Sequence, residues 1–188
     1  NWILRAFATP NDQYYGAQWH YAAMNLPKAW DIETGVNKPA VTIAVVDSGI
    51  VKHPDLDGQV VAGYDFISDP AVAGDGNERD SDPTDKDENS GYHGTHVAGT
   101  IGASTDNSVG VAGVNWNARI VPVRALGIGG GSFTDVFDGI TWAVGESVSG
   151  APTNLNPARI VNLSLGADIK QACPANVENG FKQLAERG

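Results

Sequence analysis

Gly91-Tyr92-His93-Gly94-Thr95-His96-Val97-Ala98-Gly99-Thr100 is the stretch on which this sequence turns, and it is read with an earlier one, Thr42-Ile43-Ala44-Val45-Val46-Asp47-Ser48-Gly49. In the earlier stretch an apolar run ends at a carboxylate and a Ser-Gly turn. A buried parallel strand delivers a residue to the carboxyl edge of its sheet in this way, and α/β proteins place their sites at that edge. In the first stretch a glycine-flanked histidine opens a run of small residues, Val97 to Ala103, suited to a helix packed close against a neighbour. His93 is expected in the first turn of that helix, its imidazole facing out of the helix end. The positive end of the helix dipole disfavours imidazolium, and a nearby carboxylate favours it. A histidine held between those effects serves as a base and then as an acid near neutral pH.

These residues resemble the subtilisin-like serine proteases, the subtilases. Asp-Ser-Gly at Asp47 and His-Gly-Thr-His-Val-Ala-Gly at His93 are two of that family's three motifs, in the family's order. The third, Gly-Thr-Ser around the nucleophile, is absent, as is the later Asn that helps hold the oxyanion. The resemblance runs over nearly the whole chain, which corresponds to the front part of the family's domain. It implies an α/β fold, a parallel sheet flanked by helices, with Asp47 and His93 as catalytic residues and the serine supplied by further sequence or a second chain. Asp47 is then expected to accept the Nδ1–H of His93, fix its tautomer and stabilise the imidazolium.

The 188 residues are enough for one domain, and 41% hydrophobic residues are enough for a core. A net charge of −10 argues against nucleic acid or an anionic membrane surface as partner. No run approaches the length of a membrane-spanning helix. The sequence starts at Asn1 without a basic and apolar leader, so a leader was removed or the sequence starts late. Cys173 is the only cysteine. A buried free thiol and a disulfide to a cysteine further downstream are both open readings.

Asn1 to Pro10 reads as an extended arm. By the resemblance residues 1–9 are a propeptide tail or junction, and 10–188 the front of the catalytic domain. Trp19 to Met24 and Pro27 to Thr34 suggest short helices, with Gly35 as a stop. Strands are expected at Ala40 to Val46, Gln59 to Ile67, Arg119 to Leu126 and Arg159 to Gly166. Further helices are expected from His93 to about Ala103, from Phe133 to Val148 (apolar face Phe133, Val136, Phe137, Ile140, Val144) and from Pro174 to Gly188 (Val177, Phe181, Leu184 and Ala185 inward). Strand, helix, strand in this order is the pattern of a parallel sheet.

Ser68 to Gly91 is the densest acidic stretch, including Asp69, Asp75, Asp80, Asp82 and Asp85, with glycines and prolines that break helix and strand. Such a cluster is usually a solvated loop. Its spacing also suits a hard cation, and the resemblance to subtilases favours calcium there. Asp106 to Val114 resembles the family's strong calcium loop. On that match Asn107, Val109 and Val111 supply oxygens, Asp55 the carboxylate, and a residue near Asp12 completes the shell. Gly129, Gly130 and Gly131 resemble the strip that pairs with substrate, and Ser164-Leu165-Gly166 the family's Ser-Leu-Gly on the other side. Together they form two edges that clamp an extended peptide. His96 is expected to be buried and hydrogen-bonded in support of the site. The implied function is a secreted, extracellular endopeptidase acting on polypeptide. Its partners are a propeptide and the C-terminal remainder, with neither nucleic acid nor membrane. The alternative is a catalytically silent module that binds peptide or calcium on the same skeleton.

Overall fold

The computed structural model describes residues 8–167 and 173–186. Four parallel strands form one sheet in the order β2-β3-β1-β4, with β1 at Val41–Asp47, β2 at Tyr64–Asp65, β3 at Ala118–Arg124 and β4 at Ile160–Asn162. The helices are α1 Trp19–Ala23, α2 Leu26–Trp30, α3 Pro70–Ala73, α4 His93–Gly102, α5 Phe133–Ala143 and α6 Ala175–Glu186.

Side chains alternate across a strand, and in β1 that alternation divides the core. Ile43 and Val45 pack with Leu56, Ala98 and Ile120 beneath α4. Ala44 and Val46 pack with Val121, Val123, Val136, Ile140 and Trp142 beneath α5. Both faces of the strand are covered, so its sequence reads as an unbroken apolar run. Each fully buried valine or isoleucine here contributes about 1.5–3 kcal/mol. The same alternation places Asp47 on the face of Ile43 and Val45, the side that α4 occupies.

A third cluster anchors the N-terminal segment. Tyr21, Trp30 and Ala112 are buried together, with Ala8, Tyr15 and Trp116 packed against them. The Tyr21 hydroxyl donates to Ala112 O at 2.7 Å and Trp30 Nε1 to Val114 O at 2.8 Å. Of the 1–9 arm only Ala8 and Thr9 are described, and the Ala8 N–H donates to Asp31 at 3.0 Å. Residues 1–7 lie outside the described residues.

Several elements differ from the sequence expectation. The stretch 59–67 is not one strand. Val60 pairs with Ile120 and Asp65 with Arg124, so five steps along one chain face four along β3. The slack falls opposite Pro122. Ile120 uses its N–H and C=O on the 59–61 side, and Pro122, two residues on, faces the same way with no N–H to give. A central proline is therefore tolerated because the neighbouring strand bulges past it. β4 is shorter than expected, and Ser164, Leu165 and Gly166 leave it as exposed chain. Pro70 does not break helix structure. It sits in the first turn of α3, capped by Asp69, and Gly74 closes that turn at φ 71°. α2 stops at Trp30, so Gly35 is not its cap. α5 stops at Ala143, and Phe133 is half-exposed while Trp142 takes a core position. On α6 Val177 and Leu184 are half-buried, Ala185 is exposed, and Phe181 meets the Phe137 ring edge-on at 5.9 Å. Cys173 is exposed, not buried.

Candidate active site

Asp47 ends β1 with its side chain fully buried, and His93 opens α4 with its side chain 48% exposed. Asp47 Oδ1 lies 2.7 Å from His93 Nδ1. A carboxylate only accepts, so Nδ1 carries the proton and Nε2 presents a lone pair outward. The same Oδ1 accepts the Ser48 N–H at 2.7 Å, while Asp47 Oδ2 has no hydrogen-bond partner among the described residues.

The approach of helix to strand depends on Gly94. A Cβ at that position would lie 2.2 Å from Gly49 O and 3.2 Å from Asp47 Cβ. With only hydrogen there, the start of α4 rests on the turn that follows β1. The Gly94 N–H donates to Ser48 Oγ at 3.0 Å, and the Val51 N–H to Thr95 Oγ1 at 2.9 Å. An otherwise orphaned N–H of the first helical turn and one of the turn after β1 are thus each accepted by a side-chain hydroxyl of the other segment. Tyr92, at φ 54°, bends the chain into the helix.

His96 contradicts the expectation. It is exposed, and its ring has no hydrogen bond among the described residues. Three residues advance a helix by less than a full turn. That rotation carries His96 away from Asp47 into a separate surface cleft of about 570 Å³, shared with His20, His53 and Trp19.

The two expected substrate edges flank the end of β1. β3 lies on one side of it and β4 on the other, so 127–131 and 164–166 leave the sheet at Asp47's neighbours. Asp47 O accepts the N–H groups of both Ala125 and Leu126, at 2.9 and 3.2 Å. Gly127 and Gly130 then close a tight turn, and Gly129, Gly130 and Gly131 face solvent.

The two expected calcium loops behave differently. Asp12 and Asp55 are buried, with 5% and 1% exposure, and among the described residues neither is in an ion pair. Asn107 joins them: its N–H lies 3.5 Å from Asp12 Oδ1 and its side-chain amide 2.9 Å from Asp55 Oδ1. Val111 N–H donates to Asp55 Oδ2 at 2.8 Å and Val109 N–H to Asn107 Oδ1 at 2.8 Å. Two buried carboxylates beside a side-chain amide, with no ion pair among the described residues, suit an oxygen-seeking ion. The acidic loop is not gathered in this way. Asp69 caps α3, Asp75 pairs with Arg124 at 2.8 Å, Asp80 accepts from Asn77 at 2.5 Å, and Asp82 pairs with Lys86 at 3.2 Å. Among the described residues no three acidic, His or Cys side chains converge into a metal-binding group.

Two buried polar groups beside the dyad escape a sequence reading. Asp85, 5% exposed, accepts from Ser48 Oγ at 2.7 Å and Ser90 Oγ at 2.8 Å. Arg124, fully buried, pairs with Asp65 and Asp75 and donates to Ala73 O. For Arg124 the signal existed: Ile120-Val121-Pro122-Val123-Arg124 is an apolar run ending in a charge, the pattern that singles out Asp47. Asp85 carries none that separates it from the other acids of its loop.

Known proteins resemble this chain in sequence and fold. A model of the subtilase family matches residues 38–187. The extracellular protease of Xanthomonas campestris pv. campestris is 43% identical over 204 residues, covering 99% of this chain and 34% of its own length. Thermitase of Thermoactinomyces vulgaris is 38% identical, over 86% of this chain and 49% of its own length. The solved structure of a protease from Pseudoalteromonas arctica superposes with a TM-score of 0.88 at 45% identity, covering 96% of this chain and 57% of that one. The chain thus spans about a third to a half of these curated relatives.

Proposed function

Since the chain belongs to the subtilase family, we propose that it is the aspartate- and histidine-bearing part of a secreted serine endopeptidase. The observation that carries this is the 2.7 Å contact of buried Asp47 with half-exposed His93. Among the described residues no serine hydroxyl hydrogen-bonds to His93, so the nucleophile comes from polypeptide outside them. His93 Nε2 takes the serine proton as the hydroxyl attacks the scissile carbonyl. Asp47 stabilises the imidazolium, which then protonates the departing amine. The 129–131 and 164–166 edges supply main-chain partners for an extended substrate on either side of Asp47. The Xanthomonas campestris relative is an extracellular protease, which supports secretion.

Asp12, Asp55 and Asn107, with the carbonyls of Val109 and Val111, are the residues that hold calcium in this reading. A calcium ion held there would offset the two buried charges, and Asp12 and Asn107 would link the N-terminal segment to the 106–114 loop through it. A propeptide and the C-terminal remainder are the implied partners, and exposed Cys173 is open to a disulfide.

The test is hydrolysis of a chromogenic peptide by the full-length protein. His93→Ala and Asp47→Asn should each lower kcat by several orders of magnitude, while His96→Ala keeps its activity. Equal rates for the His93 and His96 variants would overturn the assignment. A silent module would hydrolyse nothing and take up no fluorophosphonate label.

A further inference from the structure

We infer that Asp85 is a positioning residue for the dyad, acting through Ser48; this rests on the proteolytic reading above. The argument begins with what surrounds the Asp85 carboxylate. It is buried, with 5% exposure, and no ion pair among the described residues includes it. A buried charge without a counter-ion is costly unless hydrogen bonds satisfy it. Here three do: Ser48 Oγ at 2.7 Å, Ser90 Oγ at 2.8 Å and the Asp87 N–H at 3.0 Å.

Ser48 is the link. Its hydroxyl proton is committed to Asp85, so its oxygen is left as an acceptor, and it accepts the Gly94 N–H at 3.0 Å. Gly94 is the residue after His93. The backbone N–H of the same Ser48 donates to Asp47 Oδ1, the oxygen that receives His93 Nδ1. One residue therefore holds the carboxylate with its backbone and the start of the histidine's helix with its side chain. Asp85 orients that side chain. The Asp85 N–H also donates to Ile50 O at 3.3 Å, which fastens the acidic loop to the same turn. The loop's carboxylate thus acts on the site from behind.

The other charged or titratable groups nearby are accounted for. Arg124, in register with Asp47 on β3, is engaged by Asp65 and Asp75. Lys86 is held by Asp82. Asp87 caps the short helix at Glu88–Ser90, and His96 faces the separate cleft.

The experiment uses the full-length protein with Asp85→Asn, Asp85→Ala, Ser48→Ala and the Ser48→Ala/Asp85→Ala double variant. Readouts are kcat, KM and the NMR resonance of the His93 Nδ1 proton, which reports its contact with Asp47. Asp85→Ala should lower kcat about tenfold to a hundredfold with KM unchanged and should displace the Nδ1 resonance. Asp85→Asn keeps an acceptor for Ser48 and should restore most of that loss. Ser48→Ala should match the loss of Asp85→Ala, and the double variant should be no worse than either single one. A merely structural Asp85 would alter melting temperature and leave kcat and the Nδ1 resonance in place. An unmoved kcat and Nδ1 resonance in folded Asp85→Ala, or additive losses in the double variant, would overturn the inference. The proteolytic reading fails separately, if the parent protein is inactive or His93→Ala is as active as the parent.

Discussion

Replacing Arg124 by methionine should unfold the protein more easily at high pH than at low. The guanidinium is fully buried and donates to Asp65, Asp75 and Ala73 O. Methionine keeps the aliphatic stem against Gly49 and removes every donor. Among the described residues Asp65, itself fully buried, then keeps only the Ile67 N–H at 2.8 Å. Breaking one side of a buried pair costs about 3–5 kcal/mol. Against that, Arg124 Nε has no hydrogen-bond partner among the described residues, and losing it returns about 1–3 kcal/mol. The net loss expected at pH 8 is about 2–3 kcal/mol. Burial pushes Asp65 up to about 6 even beside Arg124, and without the cation it rises further. A carboxyl raised in the folded state contributes stability below its unfolded value and loses it as pH rises through the folded one. The variant therefore meets its penalty mainly above pH 6, and the loss should shrink to about 1 kcal/mol at pH 5.5. Urea unfolding in a His93→Ala background, which prevents self-digestion, measures both. A loss that is the same at the two pH values, or below about 1 kcal/mol at pH 8, would refute the reasoning.

Two further outcomes are expected. Chelation of calcium should lower the melting temperature of the full-length protein by an amount equivalent to about 3 kcal/mol if the ion is present at a hundredfold its Kd, and Asp55→Asn should abolish that response; an unchanged response in Asp55→Asn would exclude the 106–114 loop as the site. For Asp135, burial opposes the charge, but hydrogen bonds from Arg79, Ser132 and Ser68 hold its carboxyl below the ordinary range, so Asp135→Asn should cost about 1–2 kcal/mol at neutral pH, and urea unfolding should show that cost disappearing as pH falls through the lowered value.

The central strand and the dyad were legible because each rests on local chemistry. An apolar run that ends in a carboxylate has one natural place in a parallel sheet, and a histidine framed by glycines has one natural place in a helix. What was illegible depends on partners far along the chain. His96 was expected to be buried because a helix interior commonly is, but which face of α4 meets the sheet is set by Gly94 against Gly49. The second strand was expected to be continuous because nothing in 59–67 shows that its neighbour carries Pro122. The acids of 69–85 suit a hard cation by their spacing, and that Arg124 engages Asp75 and the α3 cap engages Asp69 depends on partners the loop itself does not show. Asp85 looked like any other acid of its loop, since its distinction lies in Ser48, 37 positions earlier.

The contact between Gly94 and Gly49 also bears on how such a chain can vary. Every amino acid reachable by one base change from a glycine codon carries a Cβ, and at position 94 that atom would fall 2.2 Å from a backbone oxygen. The carbonyl cannot swing aside as a side-chain tip could. Mutation at this position therefore offers no graded series from tight to loose. The spacing of aspartate and histidine is held by a residue with no neighbouring sequence to drift into, and any drift in the geometry has to begin elsewhere in the turn.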